Sequence, residues 1–266
     1  MLNPEFSLRL MWRLARIAGH FLVGCIIALF CGMFFTQPKA WHRPIVSWWL
    51  QGLASRLNLQ VSVHGAPTAD VSLWVSNHVS WMDIPLLGGI APVDFLSKAE
   101  VAKWPLIGHL AQAVGTLFIQ RGSGDSGRVQ ETMKSTLSAD RSVLFFPEGT
   151  TTDGHRVQRF FPKLFSVACE TNCPVQPVII CYRQGEALHP LAPFIGNDDL
   201  VPHLLTVLAG ERIRVDVQFL PLQAVGEHDA RALSLLCEQQ MGDALIALHG
   251  DADVPSRLGL VAIRST

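Results

Sequence analysis

The chain has 266 residues, 49% of them hydrophobic and only 16% charged, against about 25% charged in ordinary soluble domains, which argues against a surface covered by water alone. That length suits one catalytic domain with its own core and a short appendage. The net charge is −1, but residues 1–58 hold six Lys/Arg against Glu5 alone, a surplus of five positive charges beside an apolar run; this points to an anionic membrane surface, and no basic run with interleaved aromatics follows that would bind nucleic acid.

Residues 17–35 contain no Lys, Arg, Asp or Glu, close to the roughly 20 residues a helix needs to cross the hydrocarbon core. The run is long for a signal peptide, and no small-residue cleavage site follows it. Arg9, Arg13 and Arg16 hold the N-terminus on the cytoplasmic side, while Lys39 and Arg43 resist a crossing because they are basic on the far side too. Residues 45–59 place Trp48, Trp49, Leu50, Leu53 and Leu57 among polar residues, as in an interfacial helix with aromatic anchors. The reading is a two-helix element over 1–58 that dips into one leaflet of the inner membrane, with the catalytic domain facing the cytoplasm; a simple signal anchor is the alternative. Trp12 and Trp41 read as further anchors, and His20, inside the apolar run, as a packing residue.

Beyond residue 58, β-rich runs alternate with helical spacing. Strands are predicted at 59–64, 71–75, 93–96, 117–119, 143–146, 175–181 and 213–219, and helices at 99–114, 127–137, 159–171 and 230–249. That alternation is the α/β signature, a mixed sheet flanked by helices. It divides the chain into the membrane element, a catalytic domain over 59–225, and a C-terminal helix and tail over 226–266. The six cysteines form no CxxC pair and have no histidines at ligand spacing, so they read as reduced apolar residues and no metal is expected.

Two strand ends carry chemistry. The run Val75-Ser76-Asn77-His78-Val79-Ser80-Trp81-Met82-Asp83 ends a strand in Asn-His and supplies a carboxylate within five residues. On a strand-to-helix turn such a pair can meet: a neutral imidazole takes a proton from an alcohol, while the carboxylate fixes its tautomer and stabilises the imidazolium that forms. Taken alone, the same run also reads as a loop histidine followed by a helix-capping aspartate. The second end is Phe145-Phe146-Pro147-Glu148-Gly149-Thr150, and both ends could open on one edge of a sheet, where α/β proteins place ligands.

Residues 77–83 and 146–150 resemble the first and third signature blocks of the glycerolipid acyltransferases, the 1-acylglycerol-3-phosphate acyltransferase family. Lys98, Pro105, Gly108, Gly115 and Leu117-Phe118-Ile119-Gln120-Arg121 resemble the second block, and Val175-Gln176-Pro177-Val178 the fourth. The resemblance implies transfer of a fatty acyl group from an acyl-carrier-protein or coenzyme A thioester to the hydroxyl of a membrane lysolipid, without a further cofactor and without an acyl-enzyme. It implies that His78 is the base and Asp83 its partner, with Asn77, Lys98, Arg121, Glu148, Gly149 and Thr150 as substrate-binding positions.

One departure bears on the acceptor. Thr151 stands where lysophosphatidate enzymes commonly have Arg, and Phe161-Pro162-Lys163 where Pro-Phe-Lys is usual. A phosphate monoester needs fixed cations. The Thr151-Thr152-Asp153-Gly154 form is more similar to enzymes that acylate lyso-ornithine lipid, which carries no phosphate. Lysophosphatidate is the alternative acceptor, clamped by Arg121 together with Arg156 or Arg159, and an inactive lipid-binding protein is a distant one. A lipid-acting serine hydrolase lacks its G-x-S-x-G elbow here.

Overall fold

The computed structural model describes residues 4–36, 39–104, 106–120 and 126–249. Pro105, Arg121 and the tail from 251 lie outside the described residues.

Among the described residues, eight strands form one sheet: β1 (Leu59–His64), β2 (Leu73–Ser76), β3 (Asp94–Lys98), β4 (Leu117–Ile119), β5 (Val143–Phe145), β6 (Val175–Gln184), β7 (Ala187–Leu188) and β8 (Ile213–Phe219). Their order is β1-β8-β6-β2-β5-β3-β4, with β7 on β6. The β6–β2–β5–β3–β4 part is parallel, whereas β8 runs antiparallel to β6 and parallel to β1, giving the predicted mixed sheet.

Period-2 alternation sorts the central strands between two cores. Leu73, Val75, Val175, Ile179 and Cys181 point to one face; Trp74, Val178, Ile180 and Tyr182 point to the other. The first of these faces is covered by α5 (Ser126–Ser138), α6 (Ser166–Thr171) and α8 (Ala230–His249), which bury Met133, Val167, Cys237 and Met241. On the opposite face lie α1 (Pro4–Phe30), α2 (His42–Arg56), α3 (Asp83–Ile90) and α7 (Leu200–Ala209), burying Ile17, Leu53, Leu87 and Leu208. Strands enclosed on both faces read as near-continuous apolar runs, which is why β2, β5 and β6 are plain in the sequence.

Helices α3 and α7 carried no prediction. In α3, Pro85, Gly88 and Gly89 fall within eight residues and read as punctuation. The glycines instead permit close helix contact: a Cβ on Gly89 would come within 2.7 Å of the Gln51 backbone in α2. The predicted helix over 99–114 divides at 104–106 into a 3-10 turn (Ala99–Lys103) and α4 (Ile107–Ala113), with Leu106 at φ +62°.

Residues 8–30 of α1 are long and apolar enough to cross a membrane. Trp12, Trp41 and Trp48 are at least half exposed. Trp49 is not an exposed anchor: it stacks on His20 with ring centres 5.0 Å apart, donates its Nε1–H to His20 O, and faces His20 Nε2 through its own carbonyl at 2.9 Å. His20 therefore ties α1 to α2. A boundary at residue 58 falls between α2 and β1, while Leu53, Ala54 and Leu57 share the core of Trp74 and Leu86. Arg13 donates to the carbonyls of Leu208 and Gly210 at 2.6 and 2.8 Å, placing a cation at the negative C-terminal end of α7.

Candidate active site

The carboxyl ends of β2, β5, β3 and β4 open on one edge of the sheet, where ligand sites of such sheets lie. Beyond β2, the buried Asn77 donates its amide to Ile180 O at 2.9 Å and accepts Ile180 N–H at 2.8 Å. That reciprocal pair pins the turn to β6. Where the resemblance implied a substrate contact for Asn77, its amide N–H and oxygen each bond the backbone of β6.

The chain then turns, and Asp83 at the first position of α3 reaches back over it. Its carboxylate is fully buried. Oδ2 accepts Val79 N–H at 2.9 Å, Ser80 N–H at 3.1 Å and His78 Nδ1–H at 2.8 Å, while Oδ1 accepts Tyr182 O–H at 2.6 Å. Four donors offset the cost of burying the charge. They also set the tautomer: with Nδ1 as donor, His78 Nε2 keeps its lone pair. The imidazole, 19% exposed, stacks on Phe146 with centres 3.8 Å apart and planes 10° apart, which fixes its direction.

Tyr182 was missed in the sequence, although it is the only tyrosine in the chain. The signal lay in strand parity, since Tyr182 follows Val178 and Ile180 onto the face that carries α3. Burial, then the charge of Asp83, hold its phenol well above the ordinary range, so it stays protonated and donates. Tyr182 is a positioning residue, acting through Asp83. Tyr182→Phe removes one hydrogen bond to a charged group, worth about 1.5–3 kcal/mol, and is expected to lower kcat roughly tenfold with acceptor KM unchanged. A fall in folded protein with kcat per folded enzyme unchanged would instead assign Tyr182 to packing alone.

The turn after β5 supplies the second wall. Gly149 has φ +72°, a conformation that favours glycine, and its N–H bonds Phe146 O at 3.1 Å. Thr152, also missed, couples the two motifs: its N–H and its hydroxyl both donate to His78 O, at 2.8 and 3.2 Å. Thr150 is exposed beside them. Lys98 ends β3 and is exposed, aligned with Ile119 of β4 on the same sheet edge; Arg121, two residues beyond β4, is not described.

Glu148 is 4% exposed, and among the described residues neither carboxyl oxygen meets a well-aligned hydrogen-bond partner, although the His78 and Gln158 amides lie close enough to favour the anion. Burial first, and then the charge of Asp83, push its carboxyl up to about 8. An acid with a raised folded pKa contributes stability that is intact below about 4.5 and is lost as pH rises towards about 8. Glu148→Gln removes this titration. Its melting temperature in mild detergent should exceed that of the native protein by a margin that grows between pH 6 and pH 9, on the order of a few kcal/mol of stability. A margin constant with pH would show that the native carboxyl titrates normally.

With this geometry in place, comparison with known proteins is informative. Residues 60–181 match the family model described as Acyltransferase. The chain is 43% identical to the lyso-ornithine lipid O-acyltransferase of Pseudomonas aeruginosa, an alignment covering 92% of this chain and 95% of that one. It is 27% identical to the 1-acyl-sn-glycerol-3-phosphate acyltransferase of Neisseria gonorrhoeae, over 73% and 77% of the two chains. The fold is shared with the crystal structure of the 1-acyl-sn-glycerophosphate acyltransferase PlsC from Thermotoga maritima, at a TM-score of 0.68 and 20% identity over 94% and 98% of the chains.

Proposed function

The chain belongs to the acyltransferase family, and we propose that it transfers a fatty acyl group from an acyl thioester, carried by acyl carrier protein or coenzyme A, to the free hydroxyl of lyso-ornithine lipid. The observation that carries this reading is the buried Asp83 carboxylate holding His78 Nδ1–H at 2.8 Å, which leaves Nε2 as a directed base. The acceptor hydroxyl gives its proton to His78 Nε2 as its oxygen attacks the thioester carbonyl. Asp83 stabilises the imidazolium without taking its proton. When the tetrahedral intermediate collapses, the C–S bond breaks and the thiolate recovers the proton from His78. The thioester supplies the activation, so the reaction needs no cofactor. Val79 and Ser80 N–H are committed to Asp83, so oxyanion donors come from elsewhere in the cleft.

The N-terminal helix α1 supports attachment to the inner membrane with the site on its cytoplasmic side, where thioester donors and lysolipid meet. The acceptor follows from Thr151 and from the relative 43% identical. A second reading, lysophosphatidate, is supported by the relatives that act on it, and it requires Arg121, Arg156 or Arg159 to clamp the phosphate.

Competition between the two acceptors tests the choice. The native enzyme is expected to favour lyso-ornithine lipid, and Thr151→Arg to shift the ratio towards lysophosphatidate by about tenfold to a hundredfold, the worth of one charge-assisted hydrogen bond. A strong native preference for lysophosphatidate, unmoved by Thr151→Arg, would favour the second reading.

A further inference from the structure

A cavity of about 600 Å³ lies beside the catalytic turn and has no part in the proton transfer. The segments that wall it are bonded to that turn: Phe194 N–H donates to Val79 O at 2.9 Å, Thr152 Oγ1 donates to His78 O, and Trp81 Nε1–H donates to His203 Nδ1 at 3.0 Å. Asp153, Asp198 and Asp199 line the cavity, and no lysine or arginine is among the described residues that do. Asp153 and Asp198 each accept one backbone N–H, from His155 and Ile195, through one oxygen, and Asp199 precedes α7 without capping it.

His189 points to the second half of a ligand. It is 7% exposed and lines the cavity; its Nδ1 accepts Leu191 N–H at 3.2 Å, which puts the proton on Nε2. That Nε2–H has no protein partner among the described residues. Leu191 and Ile195, 49% and 42% exposed, add apolar surface to the lining. Three carboxylates would repel a phosphate dianion and attract an ammonium, the unpartnered His189 N–H suits a carboxylate, and Leu191 and Ile195 suit an acyl chain.

We propose that this cavity is the head-group site for a zwitterionic acceptor, with its ammonium against Asp153, Asp198 and Asp199 and its carboxylate on His189 Nε2–H. The proposal rests on the reading of the acceptor as lyso-ornithine lipid, whose amino-acid head bears both groups. It assigns acceptor selection to residues outside the four signature blocks.

Binding without turnover tests it. Nα-octanoylornithine and Nα-octanoylcitrulline both lack the acceptor hydroxyl, and citrulline replaces the ammonium with a neutral ureido group of similar size. Calorimetry with the full chain in detergent is expected to show the ornithine compound binding about tenfold more tightly, since partly exposed charge pairs are individually weak. The preference should vanish in an Asp153→Asn, Asp198→Asn, Asp199→Asn variant, in which the Asn residues at 153 and 198 keep an oxygen for the backbone N–H that each position accepts. His189→Gln should weaken both ligands alike. Equal native affinities, or a preference that survives the triple substitution, would overturn the proposal. Acylation of lyso-ornithine lipid, measured in parallel, separates the two readings: its absence overturns the acceptor assignment, while an Asp-dependent preference for ornithine still upholds a cation site.

Discussion

His78→Ala is expected to lower acyl transfer by about 10² to 10⁴ at saturating acceptor while leaving the protein folded, the range that a positioned general base contributes. The side chain is 19% exposed and, among the described residues, makes one side-chain hydrogen bond, to Asp83. Its chief packing contact is the face of Phe146, itself half-buried at the cleft. Truncation therefore removes little core. Asp83 also keeps Val79 N–H, Ser80 N–H and Tyr182 O–H as partners, so the turn stays tied down. Native-like circular dichroism and melting with a collapse in kcat is the expected pattern. Near-native turnover in a well-folded variant would remove His78 from the chemistry.

Asp83→Asn should cost a comparable amount, up to about 10⁴ in kcat, for a different reason. An amide can occupy the same volume but cannot satisfy the same partners. If its oxygen stays with the Val79 and Ser80 amides and with His78 Nδ1–H, its NH2 group faces the Tyr182 hydroxyl, and the imidazolium loses its counter-charge. If Tyr182 keeps an oxygen acceptor, the NH2 group faces Nδ1 and forces the proton to Nε2, the wrong tautomer for a base. Either arrangement disables the proton transfer. Combining Asp83→Asn with Tyr182→Phe should then cost little more than Asp83→Asn alone, because Tyr182 acts through the carboxylate. Additive losses would mean that the tyrosine has an independent role.

The sequence made the sheet legible because its central strands are enclosed on both faces and read as apolar runs. Strands β1, β4 and β8 fall at the predicted residues, and α8 does too. Helix α3 was hidden because Pro85 and two glycines look like a break until α2 is seen packed against them. Within the site, the His78–Asp83 spacing was readable since it is local, five residues across one turn. Tyr182 and Thr152 were not, because their partners lie 99 and 74 positions away in the chain. Asn77 illustrates the converse: adjacent to the base in sequence, it is committed to Ile180 of β6 and serves the turn. Trp49 likewise fits an interfacial pattern by residue type, yet a long-range stack with His20 draws it inward. Local spacing could identify the chemistry, whereas the support for that chemistry depends on which strands become neighbours.

Direct transfer by a directed base, without an acyl-enzyme, is most directly tested by free-thiol release in a rapid-quench experiment with acyl thioester at enzyme-stoichiometric concentration, in the presence and absence of lysolipid. With His78 acting on the acceptor hydroxyl, thiol should appear only when lysolipid is present, in step with the acylated product, and the protein mass should stay unchanged. A burst of about one thiol per enzyme without acceptor, accompanied by an acyl adduct on the protein, would contradict the account.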